Sequence, residues 1–120
     1  MTVRVQKHDF DVSSELTALT CGKYSVGGLV TFVGLVRDFS DLGPVNSITL
    51  EHYPGMTEKT LQRIDNEASK RWNLSASLIV HRFGCLEPGD RIVLVAAASE
   101  HRAEAFNACE FLVDWLKTQA

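Results

Sequence analysis

The sequence predicts a single α+β domain in which a mixed sheet is flanked by helices. Residues 57–72 carry apolar side chains at helical spacing, whereas Arg91–Ala98 (RIVLVAAA) form the near-continuous apolar run typical of a strand buried on both faces. Predicted strands come in pairs between helices, which favours α+β over a doubly wound parallel sheet. A chain of 120 residues makes one domain, residues 1–120, with room for a core.

Apolar periodicity and turn residues divide the first half of the chain into short elements. Ser13 or Ser14 is expected to cap a short helix, which Gly22 stops. The β-branched residues of 26–37 predict a strand with a glycine kink. The expected strands are Val3–Val5, Val26–Arg37 and Val45–Tyr53, with a polar loop over Asp38–Pro44.

The second half is predicted to hold two helices and two strands. Thr57 is expected to cap the helix 57–72, whose buried stripe is Leu61, Ile64, Ala68 and Trp72. Ser77–Phe83 is a further strand, and Cys85–Asp90 (CLEPGD) is a turn. Ser99 is expected to open the last helix, whose core face carries Phe106, Cys109, Leu112, Val113 and Leu116.

Composition and charge exclude several classes of function. A net charge of −3 argues against a surface built for nucleic acid. No apolar run approaches the length of a membrane span. Three scattered cysteines without a CxxC pair favour a reducing compartment and argue against a disulfide framework or a zinc site. We therefore expect a soluble cytoplasmic protein with no metal and no cofactor.

Four basic side chains lie where the end of a strand or helix could hold an anion. Arg37 ends an apolar strand, and Lys117 lies near the end of the last helix. His101 and Arg102 follow Ser99 at the start of that helix, where free N–H groups and the helix dipole favour an anion. Arginine adds bidentate recognition of phosphate or carboxylate. Taken singly, each is also explained as a solvated surface cation, and the residues alone favour that simpler interpretation.

Other candidate side chains have structural explanations. Cys109 falls on the buried stripe of the last helix, and Cys85 lies beside a turn with no activating base nearby. His81 and Arg82 point to opposite faces of a strand, so they cannot form one clamp. The expected solvated turn carboxylates, which are not metal ligands, are Asp9, Asp11, Asp38 and Asp41.

Five strings, taken in order, resemble one protein family. They are VTFVGLVRD (Val30–Asp38), LEHYPGMTEK (Leu50–Lys59), VHRFGCLEPGD (Val80–Asp90), VAAASEHRAEAF (Val95–Phe106) and FLVDWLKT (Phe111–Thr118). Together they resemble the large, catalytic subunit of molybdopterin synthase. Each string alone is weak evidence, but the combination is specific and covers most of the chain after Gly27. The run Leu50–Lys59 identifies the family, although its Pro-Gly turn and helix start are interpreted as scaffold, with His52 a structural histidine.

The resemblance implies a fold of the α/β-hammerhead type and a sulfurtransferase activity. Such enzymes convert cyclic pyranopterin monophosphate to molybdopterin by installing a dithiolene. The sulfur arrives as a thiocarboxylate on the C-terminal glycine of a small ubiquitin-like subunit. The large subunit forms a dimer, and each copy takes one small subunit to give a heterotetramer.

The resemblance also implies which residues bind substrate. The matching positions are Leu35, Val36, Arg37, His101, Arg102 and Lys117. Lys117 is the expected catalytic residue, either as a stabiliser of the oxyanion formed at the thiocarboxylate carbonyl or as a proton shuttle. Many relatives carry a lysine where this chain has Leu35, so that position is expected to contribute only its backbone. The family usually continues with Pro-Phe-Trp-Lys and a tail carrying a second active-site lysine, and we expect such a tail after Ala120.

Helix geometry adds an inference that the resemblance does not contain. Lys117 follows His101 by sixteen residues on one predicted helix, which is roughly 24 Å at about 1.5 Å per residue. One small ligand cannot touch both ends of a straight helix. Either the helix breaks or the site is composite, and we predict that His101 and Arg102 of one copy face Lys117 and Arg37 of another.

Two other classes of function use the same residues. A non-catalytic dimeric module could bind a phosphorylated metabolite or a ubiquitin-like tail through the basic cluster. A purely structural subunit would carry these cations as ordinary surface residues. Turnover to the dithiolene product separates the enzyme from both alternatives.

Overall fold

The computed structural model describes residues 2–40, 43–44, 47–50 and 55–119. In chain order its elements are β1 (Thr2–Gln6), α1 (Val12–Thr20), β2 (Gly28–Leu35), β3 (Phe39–Ser40), β4 (Gly43–Pro44), β5 (Ile48–Leu50), α2 (Met56–Arg71), β6 (Ala76–Arg82), β7 (Gly84–Leu86), β8 (Arg91–Ser99) and α3 (Arg102–Gln119). No helix in these ranges is both long and apolar enough to span a membrane.

The main sheet has four strands in the order β1-β6-β8-β2. Strand β1 runs parallel to β6, whereas β8 is antiparallel to both of its neighbours, β6 and β2. The two short pairs, β3 with β4 and β5 with β7, are separate from this sheet. The sheet is therefore mixed, and the predicted α+β fold is confirmed.

Strand β8 lies in the middle of the sheet, and helices cover both of its faces. Val93, Val95 and Ala97 pack in one core with buried residues of α2 and α3. Leu94 and Ala96 belong to a second core, which side chains of α1 close. This alternation is the two-residue period of a strand, and it confirms the prediction that 91–98 is a central strand covered on both faces.

Helices α1 and α2 start from caps other than the predicted residues. Asp11 caps α1, since its Oδ1 accepts a 2.9 Å hydrogen bond from Ser14 N; the prediction of Ser13 or Ser14 was therefore wrong. A carboxylate at this position also suits the positive end of the helix. Gly55 caps α2 at φ +83°, a left-handed conformation that favours glycine, and Thr57 lies inside the first turn.

Helix α3 starts at Arg102, three residues later than the predicted start at Ser99. Ser99 is instead the last residue of β8, where it pairs with Gly28 and is fully buried. Of the predicted core face, the buried residues are Cys109, Leu112 and Leu116. Phe106 is 59% exposed, so its assignment to the core was wrong. It lies over a groove beside β2, the last strand of the described sheet, where no further strand covers it.

Short strands occupy segments that were predicted as loop or turn. Strands β3 and β4 pair within the expected loop Asp38–Pro44, and β7 takes the first part of the expected turn and pairs with β5. Strands of two or three residues are too short to show a period in the sequence. The expected strand 45–53 is described as β5 only, because positions 45–46 and 51–54, including His52, lie outside the described residues.

A buried acid joins α2 to β6. Asp65 is fully buried, and its Oδ1 accepts a 2.6 Å hydrogen bond from Ser77 Oγ. The other oxygen, Oδ2, has no hydrogen-bond partner among the described residues. Burial raises the pKa of the Asp65 carboxyl above its usual 3.8, and the hydrogen bond from Ser77 offsets only part of this effect.

Replacing this acid by its amide, Asp65→Asn, should change how stability depends on pH. Because the folded-state pKa is raised, the folded protein holds the proton more tightly, and this contribution to stability is lost as pH rises from 3.8 through the folded-state pKa. The amide carries no charge at any pH. The variant should therefore gain on the order of 1 kcal/mol of unfolding free energy relative to wild type between about pH 4 and about pH 8.

Urea unfolding at the two pH values measures this gain. Asp38→Asn, which changes an exposed acid in the same way, serves as the control and should show no gain. If the unfolding free energies of Asp65→Asn and wild type differed by the same amount at both pH values, Asp65 would not have a raised pKa in the folded state.

Candidate functional site

Arg37 follows the end of the sheet's outer strand, β2. The ladder with β8 shifts register just before Leu35, where the strand ends, so the predicted end at Arg37 was two residues late. Val36 is buried: its N–H donates to Asp90 O at 2.9 Å, and its C=O accepts from Gly89 N at 2.8 Å. This turn leaves Arg37 exposed, without a hydrogen-bond or ion-pair partner among the described residues.

His101 and Arg102 lie at the opposite end of the sheet, where β8 finishes and α3 begins. The chain turns here against two glycines. Gly27 N donates a 3.0 Å hydrogen bond to Ser99 O, and a Cβ on Gly28 would stand 3.1 Å from Arg102 Cα. The glycines were predicted only as a kink in the strand, but they also allow this turn to approach β2. Both basic side chains are exposed and have no side-chain partner in the described part of the chain.

Lys117 lies at the same end of the sheet as Arg37. Helix α3 starts beside the first residue of β2, and halfway along it Cys109 Sγ lies 4.0 Å from Val95 O in the middle of β8. The helix therefore runs back along β8 and β2, and its last turn reaches the end where β2 finishes. The Lys117 side chain is exposed there and has no partner within the described ranges.

One copy of the chain keeps these two cationic groups apart. Helix α3 is continuous from Arg102 to Gln119. At about 1.5 Å per residue, the sixteen residues from His101 to Lys117 span roughly 24 Å. The structure thus excludes the broken helix that the sequence left open, and it does not bring the predicted site residues together within one chain.

The two groups lie in different electrostatic settings. His101 and Arg102 are at the positive end of α3, where the guanidinium charge of Arg102 adds to the attraction that the first helical N–H groups exert on an anion. Lys117 is in the last turn, where the helix dipole stabilises a cation. An anion that reached either end would meet side chains whose charge no described residue neutralises.

His81 and Arg82 are engaged within the fold, which agrees with the prediction that they form no clamp. Arg82 Nε donates to Lys7 O at 3.2 Å, and its Nη1 donates to Arg91 O at 2.9 Å. His81 Nδ1 lies 2.9 Å from Arg82 O, an acceptor, so this nitrogen carries the ring proton. Burial lowers the pKa of His81, which keeps the ring neutral.

Two of the four acids expected to be solvated turn carboxylates, Asp9 and Asp11, have partners within the fold. Asp9 makes two hydrogen bonds with Arg91, from Nε at 3.1 Å and from Nη2 at 2.8 Å, and these hold the pKa of Asp9 below its usual value. Asp11 caps α1, Asp38 is exposed, and Asp41 lies outside the described residues. Within the described ranges, no three side chains of His, Cys, Asp or Glu are grouped to hold a metal ion.

The cysteines offer no activated nucleophile. Cys109 is buried, as predicted, and burial raises the pKa of its thiol to about 11. Cys85 is exposed on β7 opposite Thr49, and no described residue forms a hydrogen bond or ion pair with its thiol. Cys21 is exposed just after α1. The chemistry available at the site is therefore that of cations and backbone amides.

Comparison with known proteins identifies the family. The family model described as MoaE protein matches residues 5–119. The chain belongs to the MoaE family. The molybdopterin synthase catalytic subunit of Ralstonia nicotianae is 52% identical over 119 residues, which cover 99% of this chain and 68% of that relative. The resemblance seen in the sequence is thereby confirmed.

Solved structures of MoaE proteins share the fold. The molybdopterin biosynthesis MoaE protein from Burkholderia ambifaria superposes with a TM-score of 0.88 at 48% identity, covering 100% of this chain and 78% of that one. Subunits 1 and 2 of the molybdopterin-converting factor from Helicobacter pylori were solved as a protein–protein complex. The match there, at 18% identity with a TM-score of 0.77 over 96% of this chain and 77% of that one, shows the fold alone.

The thiol environments predict how this MoaE protein reacts with a thiol reagent. In the native state at neutral pH, Cys21 and Cys85 should react with Ellman's reagent, because both are exposed. Cys109 should react only on unfolding, since it is buried and its pKa is raised to about 11. Cys109→Ala is the matched control and should leave the native titration at two thiols. A third thiol that titrates in the native wild-type protein would contradict the assignment of Cys109 to the core.

Proposed function

We propose that this chain is the catalytic subunit of a molybdopterin synthase. It transfers sulfur from a thiocarboxylate on the C-terminal glycine of a small ubiquitin-like subunit to cyclic pyranopterin monophosphate, and so forms the molybdopterin dithiolene. The observation that carries the proposal is the family match over residues 5–119, which includes every predicted site residue. Arg102 and Lys117, at the two ends of α3, are exposed and have no ion-pair partner among the described residues, which suits an anionic substrate. The three free cysteines support a cytoplasmic location.

The proposed active site is composite. His101 and Arg102 of one copy bind the cyclic phosphate, for which a guanidinium offers two parallel hydrogen bonds at a helix start. Arg37 and Lys117 of a second copy complete the site. The support for this arrangement is the unbroken helix α3, which holds the two groups roughly 24 Å apart in a single chain.

A two-fold axis near the middle of α3 generates this arrangement twice. An isologous contact brings the start of one helix to the end of the other only if the axis passes near the midpoint of both. A groove lies there between β2 and α3, lined by Val30, Thr31, Phe32, Phe106, Cys109, Glu110, Val113 and Asp114. The exposed aromatic ring of Phe106 supports burial of this groove in a dimer.

Lys117 acts on the acyl end of the sulfur donor. Its ammonium group is free of partners among the described residues and lies at the end of the sheet that the C-terminal glycine of the small subunit would enter. Two roles suit an ammonium there: it stabilises the oxyanion that forms when the thiocarboxylate carbonyl is attacked, or it carries a proton. Leu35 ends β2 at this same end of the sheet, and Val36 follows it.

The small subunit is the protein partner in this proposal. In the Helicobacter pylori structure, subunits 1 and 2 of the molybdopterin-converting factor form a protein–protein complex. By analogy, each copy of this chain takes one small subunit, and the dimer of large subunits becomes a heterotetramer.

Lys117→Ala should remove turnover without removing the fold. The full-length protein is incubated with thiocarboxylated small subunit and cyclic pyranopterin monophosphate, and the dithiolene product is measured. Loss of an electrostatic contact to the transition state should lower kcat by roughly 100-fold or more. The melting temperature should not change, since the side chain is exposed. Lys70→Ala, which removes an exposed lysine near the end of α2, is the control and should retain full activity.

Equal loss of activity and folding in Lys117→Ala would support a structural role for this lysine. If the wild-type chain bound the precursor without forming product, the chain would be a binding module and the proposed function would be wrong.

Subunit mixing tests whether the site is composite. Arg102→Ala and Lys117→Ala chains carrying different tags are co-expressed, and the heterodimer is purified by both tags. If each site combines Arg102 of one copy with Lys117 of the other, the heterodimer holds one intact site and should show about half of wild-type activity. Both parent homodimers should be nearly inactive. A heterodimer as inactive as its parents would place both residues in a site within one chain.

A further inference from the structure

A buried serine connects three segments at the start of α3. Ser99 is fully buried, and its Oγ lies 2.8 Å from Asn73 O and 3.2 Å from Glu104 Oε2. These two oxygens share the hydroxyl proton. The same Oγ accepts a weaker hydrogen bond, 3.4 Å long, from His101 N. Ser99 thus contacts the chain after α2, the first turn of α3 and the backbone of a proposed phosphate-binding residue.

Glu104 uses both carboxylate oxygens at this junction. Its Oε2 faces the Ser99 hydroxyl, and its Oε1 accepts a hydrogen bond from Asn73 N at 3.3 Å. The carboxylate also lies in the first turn of α3, where the helix dipole stabilises a negative charge. These contacts connect the first turn of the helix to the end of β8 and to the residue that follows Trp72.

Backbone packing closes the same turn from the other side. A Cβ on Gly27 would stand 2.3 Å from Glu100 O, which is closer than real contacts allow, and Gly27 N donates to Ser99 O. The turn 99–102 therefore lies between β2 on one side and the side chains of Ser99 and Glu104 on the other. His101 and Arg102 have no side-chain partners among the described residues, so the position of this turn decides where their charged groups stand.

We infer that Ser99 and Glu104 are positioning residues for substrate: they hold the turn that presents His101 and Arg102 to the phosphate. This inference rests on the proposed function for the identity of the ligand. Neither residue touches the substrate. A turn that is free to move would weaken binding of the phosphate, because His101 and Arg102 would be held less often in the position that contacts it.

Hydrogen exchange tests the positioning step without any assumption about activity. In Glu104→Ala, the amides of Gly27 and His101, which donate to Ser99 O and Ser99 Oγ, should exchange about ten times faster than in wild type, since the contacts that close the turn are lost. The amide of Leu112, in the middle of α3, should be unchanged. Glu67→Ala, which removes a half-exposed glutamate paired with Arg71, is the control and should leave both amides as in wild type. No change at Gly27 and His101 in Glu104→Ala would overturn the inference.

Steady-state kinetics tests the consequence for substrate. Glu104→Ala and Ser99→Ala should raise KM for cyclic pyranopterin monophosphate about tenfold or more, with a smaller effect on kcat. Glu104→Gln keeps the shape of the side chain and should recover part of the loss. An unchanged KM together with a kcat that falls only as far as stability falls would make both residues structural and would overturn the inference.

Heterodimers locate the defect. A Glu104→Ala chain paired with a Lys117→Ala chain should recover activity, because one site then combines intact His101 and Arg102 with an intact Lys117. A Glu104→Ala chain paired with an Arg102→Ala chain should recover no activity, because each site then carries one of the two substitutions. Recovery with Arg102→Ala would overturn the inference. Failure of the proposed function is distinguishable, since wild type would then form no dithiolene product while hydrogen exchange still responds to Glu104→Ala.

Discussion

The packing of α3 along the middle of the sheet is the constraint on which the rest of the structure depends. Ala97 of β8 and Ala108 of α3 are fully buried in the same core, and Cys109 Sγ approaches Val95 O to 4.0 Å. Small residues on both elements allow the helix to lie close to the strands along its length. The helix is continuous from Arg102 to Gln119, so its two ends, with their basic side chains, lie far apart in one chain. A site that needs both ends has to draw on two copies of the chain.

The hydrogen-bond acceptors around each arginine decide whether that arginine stabilises the fold or remains free to bind a ligand. Arg91 is paired with Asp9, and Arg82 donates to two backbone carbonyls, so both stabilise the fold. Arg37 lies at the same end of the sheet as Arg91, but no described residue pairs with it. At this end of the sheet, therefore, Arg91 stabilises the fold, whereas Arg37 is available to a ligand.

Much of the fold could be predicted from the sequence, because the pattern of apolar residues along a long helix or strand shows which of its faces are buried. The run 91–98 is apolar on both faces, and it is the strand covered on both sides. Residue type gave wrong predictions where one element ends and the next begins. Serine is a common helix cap, yet Ser99 is the last residue of a strand, because its carbonyl accepts a hydrogen bond from Gly27 N. The contacts of Glu104 with Asn73 could not be predicted, because they join residues 31 positions apart.

The position of bound substrate shows directly whether one site draws on two copies of the chain. A crystal structure of the full-length protein with cyclic pyranopterin monophosphate would show which copies contact one ligand. We expect the phosphate to contact His101 and Arg102 of one copy, while Lys117 and Arg37 at the same ligand come from another copy. A ligand in contact with His101 and Lys117 of the same chain would contradict this expectation.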